Sequence, residues 1–151
     1  TILDIGSSFG YFLRKILENK NLVGLSLERM DSSCQIQKQV LNGLDNAMLI
    51  RGNLNLNFLQ SFAKTPDFFD LILALSVIHH FHPSEVQPMC RILDMKSRSI
   101  IIELANEGNA CGQQIVKMFK DEETMLAKLF PNKEWKKIAT NKTHLGGVRN
   151  T

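Results

Sequence analysis

Asp4 interrupts the apolar run Ile2, Leu3, Ile5 with no charge partner adjacent to it, and Gly6 and Gly10 follow. A glycine tolerates positive φ and lets a ligand approach backbone that a Cβ would shield. Glu28 stands 18 residues beyond Gly10, directly after the apolar run Leu22 to Leu27. In a doubly wound sheet, an acid about 20 residues past a glycine turn can accept hydrogen bonds from both hydroxyls of a ribose. The second strand lies beside the first and ends at the same edge. The chemistry indicated is recognition of a nucleoside. Further along, His79 and His80 follow a long apolar run, and an imidazole titrates near neutral pH, so either can take a proton. Glu103 and Glu107 are the other polar groups expected at that edge.

These side chains need elements to hold them. Ile2 to Ile5 reads as a first strand, and Tyr11 to Glu18 has helical spacing, with Phe12, Leu13, Ile16 and Leu17 apolar. Leu22 to Leu27 reads as a second strand, Ala47 to Ile50 as a third, Phe69 to Ser76 as a fourth and Ser99 to Leu104 as a fifth. The fourth is apolar almost throughout and bounded by Pro66-Asp67, as a central parallel strand covered on both faces would be. Helices are expected over Asp31 to Gly43, Pro83 to Met95 and Asn109 to Phe130. Glu134 to Ala139 reads as a sixth strand, and Thr143 to Thr151 as the turn into a truncated seventh. The alternation specifies α/β architecture: a doubly wound, mostly parallel sheet with helices on both faces.

The spacing Asp4-x-Gly6-x-x-x-Gly10 resembles the first motif of the class I S-adenosylmethionine-dependent methyltransferases. The order of the downstream elements strengthens that resemblance, and Val77-Ile78-His79-His80-Phe81 is similar to the family's fourth motif. There are two departures. Ser8 stands where a third glycine is frequent, and Asn53 follows Gly52 where the family frequently has an acid that contacts the adenine amino group. An asparagine carbonyl can still accept from that amine. The resemblance implies a Rossmann-like core with strand order 3-2-1-4-5-(7)-6. It implies S-adenosylmethionine as cofactor, with S-adenosylhomocysteine as product. The implied cofactor contacts are Asp4 at the methionine end, Gly6, Ser7, Ser8, Gly10 and Phe12 from the first loop and helix, and Glu28 and Arg29 after strand 2. Asn53, Leu54 and Leu75 complete the set. The catalytic candidates it implies are His79, His80 and Glu107.

Several functions are disfavoured by absence. The Asn-Pro-Pro-Tyr type of tetrapeptide used by amino-directed nucleic-acid methyltransferases is missing after strand 4, where Ser76-Val77-Ile78-His79 stands. No Pro-Cys nucleophile is present, since Cys90 follows Met89, and no acidic metal ligands lie near the end of strand 4. Elimination leaves a small-molecule, sugar or lipid O or N nucleophile as acceptor. Three cysteines, Cys34, Cys90 and Cys111, without a C-x-x-C pair, fit reduced thiols in the cytoplasm better than a disulfide framework or a zinc site. The histidine trio His79, His80 and His82 is no better as a metal site, because adjacent histidines cannot all face one ion.

Net charge is +3, with the basic excess after residue 111, where Lys and Arg number 8 against 4 acids. That excess suits a solvated face as well as an anionic partner. No stretch approaches the roughly 20 apolar residues of a membrane span. The 151 residues suit a single domain. Thr1 lies almost inside strand 1 with no initiator methionine, so the sequence reads as a piece of a longer chain, without the preceding segments that often cover the substrate in this family. Two other readings stay open: a non-catalytic module that keeps the S-adenosylmethionine fold, and a nicotinamide-dependent oxidoreductase. The pair Tyr11 and Lys15 sits in the wrong helix for the latter. The sequence leaves the oligomeric state open.

Overall fold

A computed structural model describes residues 1–66, 68–105, 115, 117–138, 140–142 and 148–150. Five parallel strands form the centre of the sheet: β1 (Ile2–Ile5), β2 (Gly24–Glu28), β3 (Ala47–Arg51), β4 (Phe69–Leu75) and β5 (Ser97–Ala105). Two short strands, β6 (Thr140–Lys142) and β7 (Val148–Asn150), add to the β5 edge, β7 antiparallel to both β5 and β6. The order is β3-β2-β1-β4-β5-β7-β6, as the doubly wound reading requires. The chain runs outward from β1 to β3, then returns to lay β4 against β1. The carboxyl ends of β1 and β4 therefore flank the point where the winding reverses, and ligands bind there in such sheets.

Both faces of the sheet are covered. One face packs Leu3, Ile5, Ile72, Ala74 and Ile102 against α3 (Leu56–Ala63), α4 (Val86–Met95) and α5 (Glu122–Leu129). The other packs Ile2 and Leu73 against Leu13 and Leu17, at and just beyond the end of α1 (Tyr11–Ile16), and against Leu41, just beyond α2 (Asp31–Val40). Strand residues alternate between faces, so Asp4 shares the α1 and α2 side with Ile2.

The structure departs from the sequence reading in several places, among them helix α4, which begins at Val86 rather than at the expected Pro83. Helix α3 follows β3 unforeseen; Asn55 starts it, its side chain accepting from the Phe58 N–H at 2.9 Å. The helix expected over Asn109 to Phe130 is broken: residues 118–121 form a turn, and Asp121 caps a separate α5 by accepting from Thr124 N at 2.7 Å. Helix α2 ends at Val40, and Gly43 takes φ 79° in the turn beyond. The sixth strand lies at Thr140–Lys142, after the expected Glu134 to Ala139. Side chains hold the earlier segment away from the sheet edge. Trp135 packs edge-on against Phe130 at 5.3 Å, and Lys133 pairs with the buried Asp94 at 3.1 Å.

Candidate functional site

The loop after β1 is built by three left-handed residues: Gly6 (φ 63°), Ser8 (φ 51°) and Gly10 (φ 73°). The two glycines answer to different neighbours. A Cβ on Gly6 would meet Val77 Cγ2 at 2.9 Å, across the cleft from the exit of β4, while one on Gly10 would meet the Gln37 side chain at 2.6 Å. Gly10 thus makes room for a supporting side chain of α2, a reason the sequence spacing did not disclose.

That support is a buried polar cluster. Ser7 Oγ lies 2.5 Å from Ser26 Oγ, and Gln37 Nε2 donates to Ser26 Oγ at 2.5 Å and to Ser7 Oγ at 3.0 Å. All three residues are buried, so the cluster satisfies groups that would otherwise be costly to bury. Ser7 therefore faces the interior beneath the loop. The backbone is tied down as well, Gly6 N donating to Leu27 O at 2.8 Å and Gly10 N to Ser7 O at 2.8 Å.

Glu28 sits at the end of β2 and is only 7% exposed. Its Oε2 accepts from Ser8 N at 2.8 Å and its Oε1 from Met30 N at 2.7 Å. The two amides fix the carboxylate and clamp the glycine loop to the neighbouring strand. Each oxygen keeps a second lone pair. Asp4 lies beneath the same edge, 3% exposed. Burial, and then the neighbouring Glu28 carboxylate, push it up to about 7.

A cavity of about 280 Å³ opens at the carboxyl edge, near the lower end of the usual ligand-pocket range of about 300–1,000 Å³. It brings together Gly6, Ser8, Glu28, Arg29, Asn53, Leu54 and His80 of the expected site. Asp4, Ser7, Gly10, Phe12, Leu75 and His79 are not in its wall. Phe12 is exposed, edge-on to Tyr11 at 5.9 Å, and His79 lies behind His80, ring centroids 4.1 Å apart. Glu107 and Asn106 lie outside the described residues.

The sequence reading missed Leu27, Met30, Ser33, Gly52, Ser76, Val77 and Phe81, which also line the cavity. Ser76 was the most readable of these, a polar residue ending an apolar strand. It adopts φ 55°, and its hydroxyl bonds Glu103 on β5. A larger cavity of about 670 Å³ lies elsewhere, under residues 131–138, and contains neither the glycine loop nor Glu28. The chemistry converges on the smaller one. Among the described residues, no group of three or more His, Cys, Asp or Glu is placed to hold a metal ion, and no helix is long and apolar enough to cross a membrane.

This sheet order with this loop defines the class I methyltransferase fold, and solved structures of such proteins superpose on the chain. The bifunctional kinase-methyltransferase WbdD does so at 21% identity and TM-score 0.75, over 99% of this chain and 33% of that one. The mitomycin 7-O-methyltransferase MmcR matches at 20% identity and TM-score 0.59, covering 99% of this chain and 47% of its own. Magnesium protoporphyrin IX methyltransferase ChlM from Synechocystis PCC 6803, solved with S-adenosylmethionine bound, matches at 13% identity and TM-score 0.65, over 99% and 66%. The chain spans a third of WbdD and about half of MmcR, and the likeness is one of fold. No protein-family model matches the sequence. No curated protein matches it either.

Proposed function

We propose that the chain binds S-adenosylmethionine in the carboxyl-edge cavity and passes its methyl group to an O or N nucleophile of a small molecule, sugar or lipid. The observation that carries this reading is Glu28, a carboxylate fixed by two backbone amides in the wall of a nucleoside-sized cavity. Its remaining lone pairs suit the two ribose hydroxyls, and Asn53 and Leu54 lie on the β3 side, where the adenine would follow. Ser8 and Gly6 supply the loop backbone beside the rest of the ligand. Asp4, carrying an uncompensated buried carboxyl beneath the loop, suits a cationic methionine ammonium.

The sulfonium methyl carries its own activation, so the protein chiefly holds the nucleophile in line and removes its proton. His80 is the side chain we assign to that proton: it lines the cavity on the β4 side, and a neutral imidazole can accept from a hydroxyl or amine. His79 packs against that ring, its centroid 4.1 Å away.

Calorimetry with S-adenosylmethionine, S-adenosylhomocysteine and NADH tests the reading. Saturable binding of the two sulfur ligands in the micromolar range is expected. Binding of NADH alone would overturn it in favour of nicotinamide chemistry.

A further inference from the structure

The two ends of the cavity differ in charge placement. Glu28 lies at one end, with Gly52, Asn53 and Leu54 beyond it; Ser76, Val77 and His80 form the other. With the ribose on Glu28 and the adenine toward Asn53, the covalent layout of the ligand sends its sulfur arm toward Ser76. This step rests on the functional reading above.

Ser76 lines that end and is held in an unusual way. It is a non-glycine residue at φ 55°, a backbone conformation that persists only where the surroundings enforce it. What enforces it is β5. Leu75 and Glu103 are in register, Ser76 N donates to Glu103 O at 3.3 Å, and Ser76 Oγ donates to Glu103 Oε2. Glu103 follows the buried Ile102 and therefore sits on the same sheet face as Asp4. Its carboxylate stands one hydrogen bond behind the cavity wall.

We propose that Glu103, anchored by Ser76, makes the β4 end of the cavity select a cationic sulfonium ligand over the neutral thioether. A carboxylate one residue removed from the wall attracts a positive sulfur through a partly dry path, where charges interact several times more strongly than in bulk water. Methyl transfer leaves the S–CH₃ electron pair on sulfur and abolishes its charge. The attraction is then lost, and release of the product is favoured over release of unreacted cofactor. Glu103 is a specificity residue acting through position. His80 keeps the proton-accepting role, and Arg29 is set apart on the Glu28 side, after β2.

The test is calorimetry on the whole chain with three probes: S-adenosylmethionine, sinefungin, whose amine places a cation near the reacting centre, and S-adenosylhomocysteine. The wild type is expected to bind the two cations roughly three- to tenfold more tightly than the thioether. Glu103→Gln should bring that ratio to near one, with the loss falling on the cations, and Glu103→Asp should restore most of it. Ser76→Ala, which removes the hydrogen bond from Ser76 to the carboxylate, should lower the ratio part-way and decides the matter should Glu103→Gln fail to fold. An unchanged ratio in Glu103→Gln, or no preference in the wild type, overturns the proposal while leaving the cofactor site standing. Failure of all three probes to bind overturns the site reading itself.

Discussion

The cavity has two unlike walls. On the β1–β2 side, Gly6, Ser8 and Glu28 are fixed by backbone amides, and Ser7, Ser26 and Gln37 form a buried cluster beneath them. On the β4–β5 side the wall is made by side chains leaving strand ends: Ser76 on Glu103, and His80 on a short 3-10 turn (Ile78–His80). Backbone-fixed geometry changes little when residues change, so that wall suits a ligand common to many proteins. A wall of side chains at strand ends can be altered one residue at a time, which suits an acceptor that differs between proteins. The proposed division is the cofactor's ribose and adenine on the first wall, and its sulfonium end together with the methyl acceptor on the second.

The largest expected effect tests the buried charge under the first wall. Asp4 titrates at about 7 in the folded chain against an ordinary 3.8, so between those pH values the folded state holds a proton that the unfolded state has lost. Stability should therefore fall as pH rises from about 4 to about 7, by up to about 4 kcal/mol, and then level off. Urea denaturation across that range measures it, and Asp4→Asn should flatten the profile. A wild-type stability that rises over this interval would show that Asp4 ionises freely.

Gly10→Ala comes next. It combines a left-handed φ with a Cβ 2.6 Å from Gln37 and should cost about 2–4 kcal/mol. Chemical denaturation reads this directly. A loss below about 1 kcal/mol would mean that Gln37 yields and the loop is not rigidly seated.

On the other wall, His80→Ala should lower turnover by about 10²-fold in a screen of hydroxylated and amino acceptors with radiolabelled S-adenosylmethionine, while cofactor affinity stays within about twofold. His79→Ala should cost less, because His79 is not in the cavity wall. Equal losses from the two would erase the distinction between them. Glu28→Ala should weaken cofactor binding by about 1–3 kcal/mol. It should also lower the melting temperature, because Ser8 N and Met30 N lose their acceptor. Glu28→Gln keeps an oxygen acceptor and should melt closer to the wild type. Normal binding by Glu28→Ala would make Glu28 a loop clamp alone.

Hydropathy rhythm and glycine placement were enough to locate the five parallel strands and, with Glu28 18 residues past Gly10, to point to their carboxyl edge, where a cavity lined by Gly6, Ser8 and Glu28 opens. Both are local properties: a strand buried on two faces is apolar throughout, and a left-handed turn favours glycine. Helix α3 was not read, since its short apolar stretch has no length to separate it from a loop, and its cap, Asn55, is identified only in the structure. The displacement of β6 was not legible, because Trp135 and Lys133 are held by Phe130 and Asp94, partners that folding supplies.

The site divides in the same way. Residue types and spacing nominated Glu28, Gly6, Ser8, Asn53 and His80. Only the tertiary structure decided that Ser7 turns inward, that Gly10 makes room for Gln37, that His80 rather than His79 lines the cavity, and that Ser76 meets Glu103. Each of those outcomes depends on a contact between residues 19 or more positions apart or on the facing of a single turn. Sequence periodicity fixes which face a residue takes within its own element, while the neighbour it meets there is set by how the elements pack.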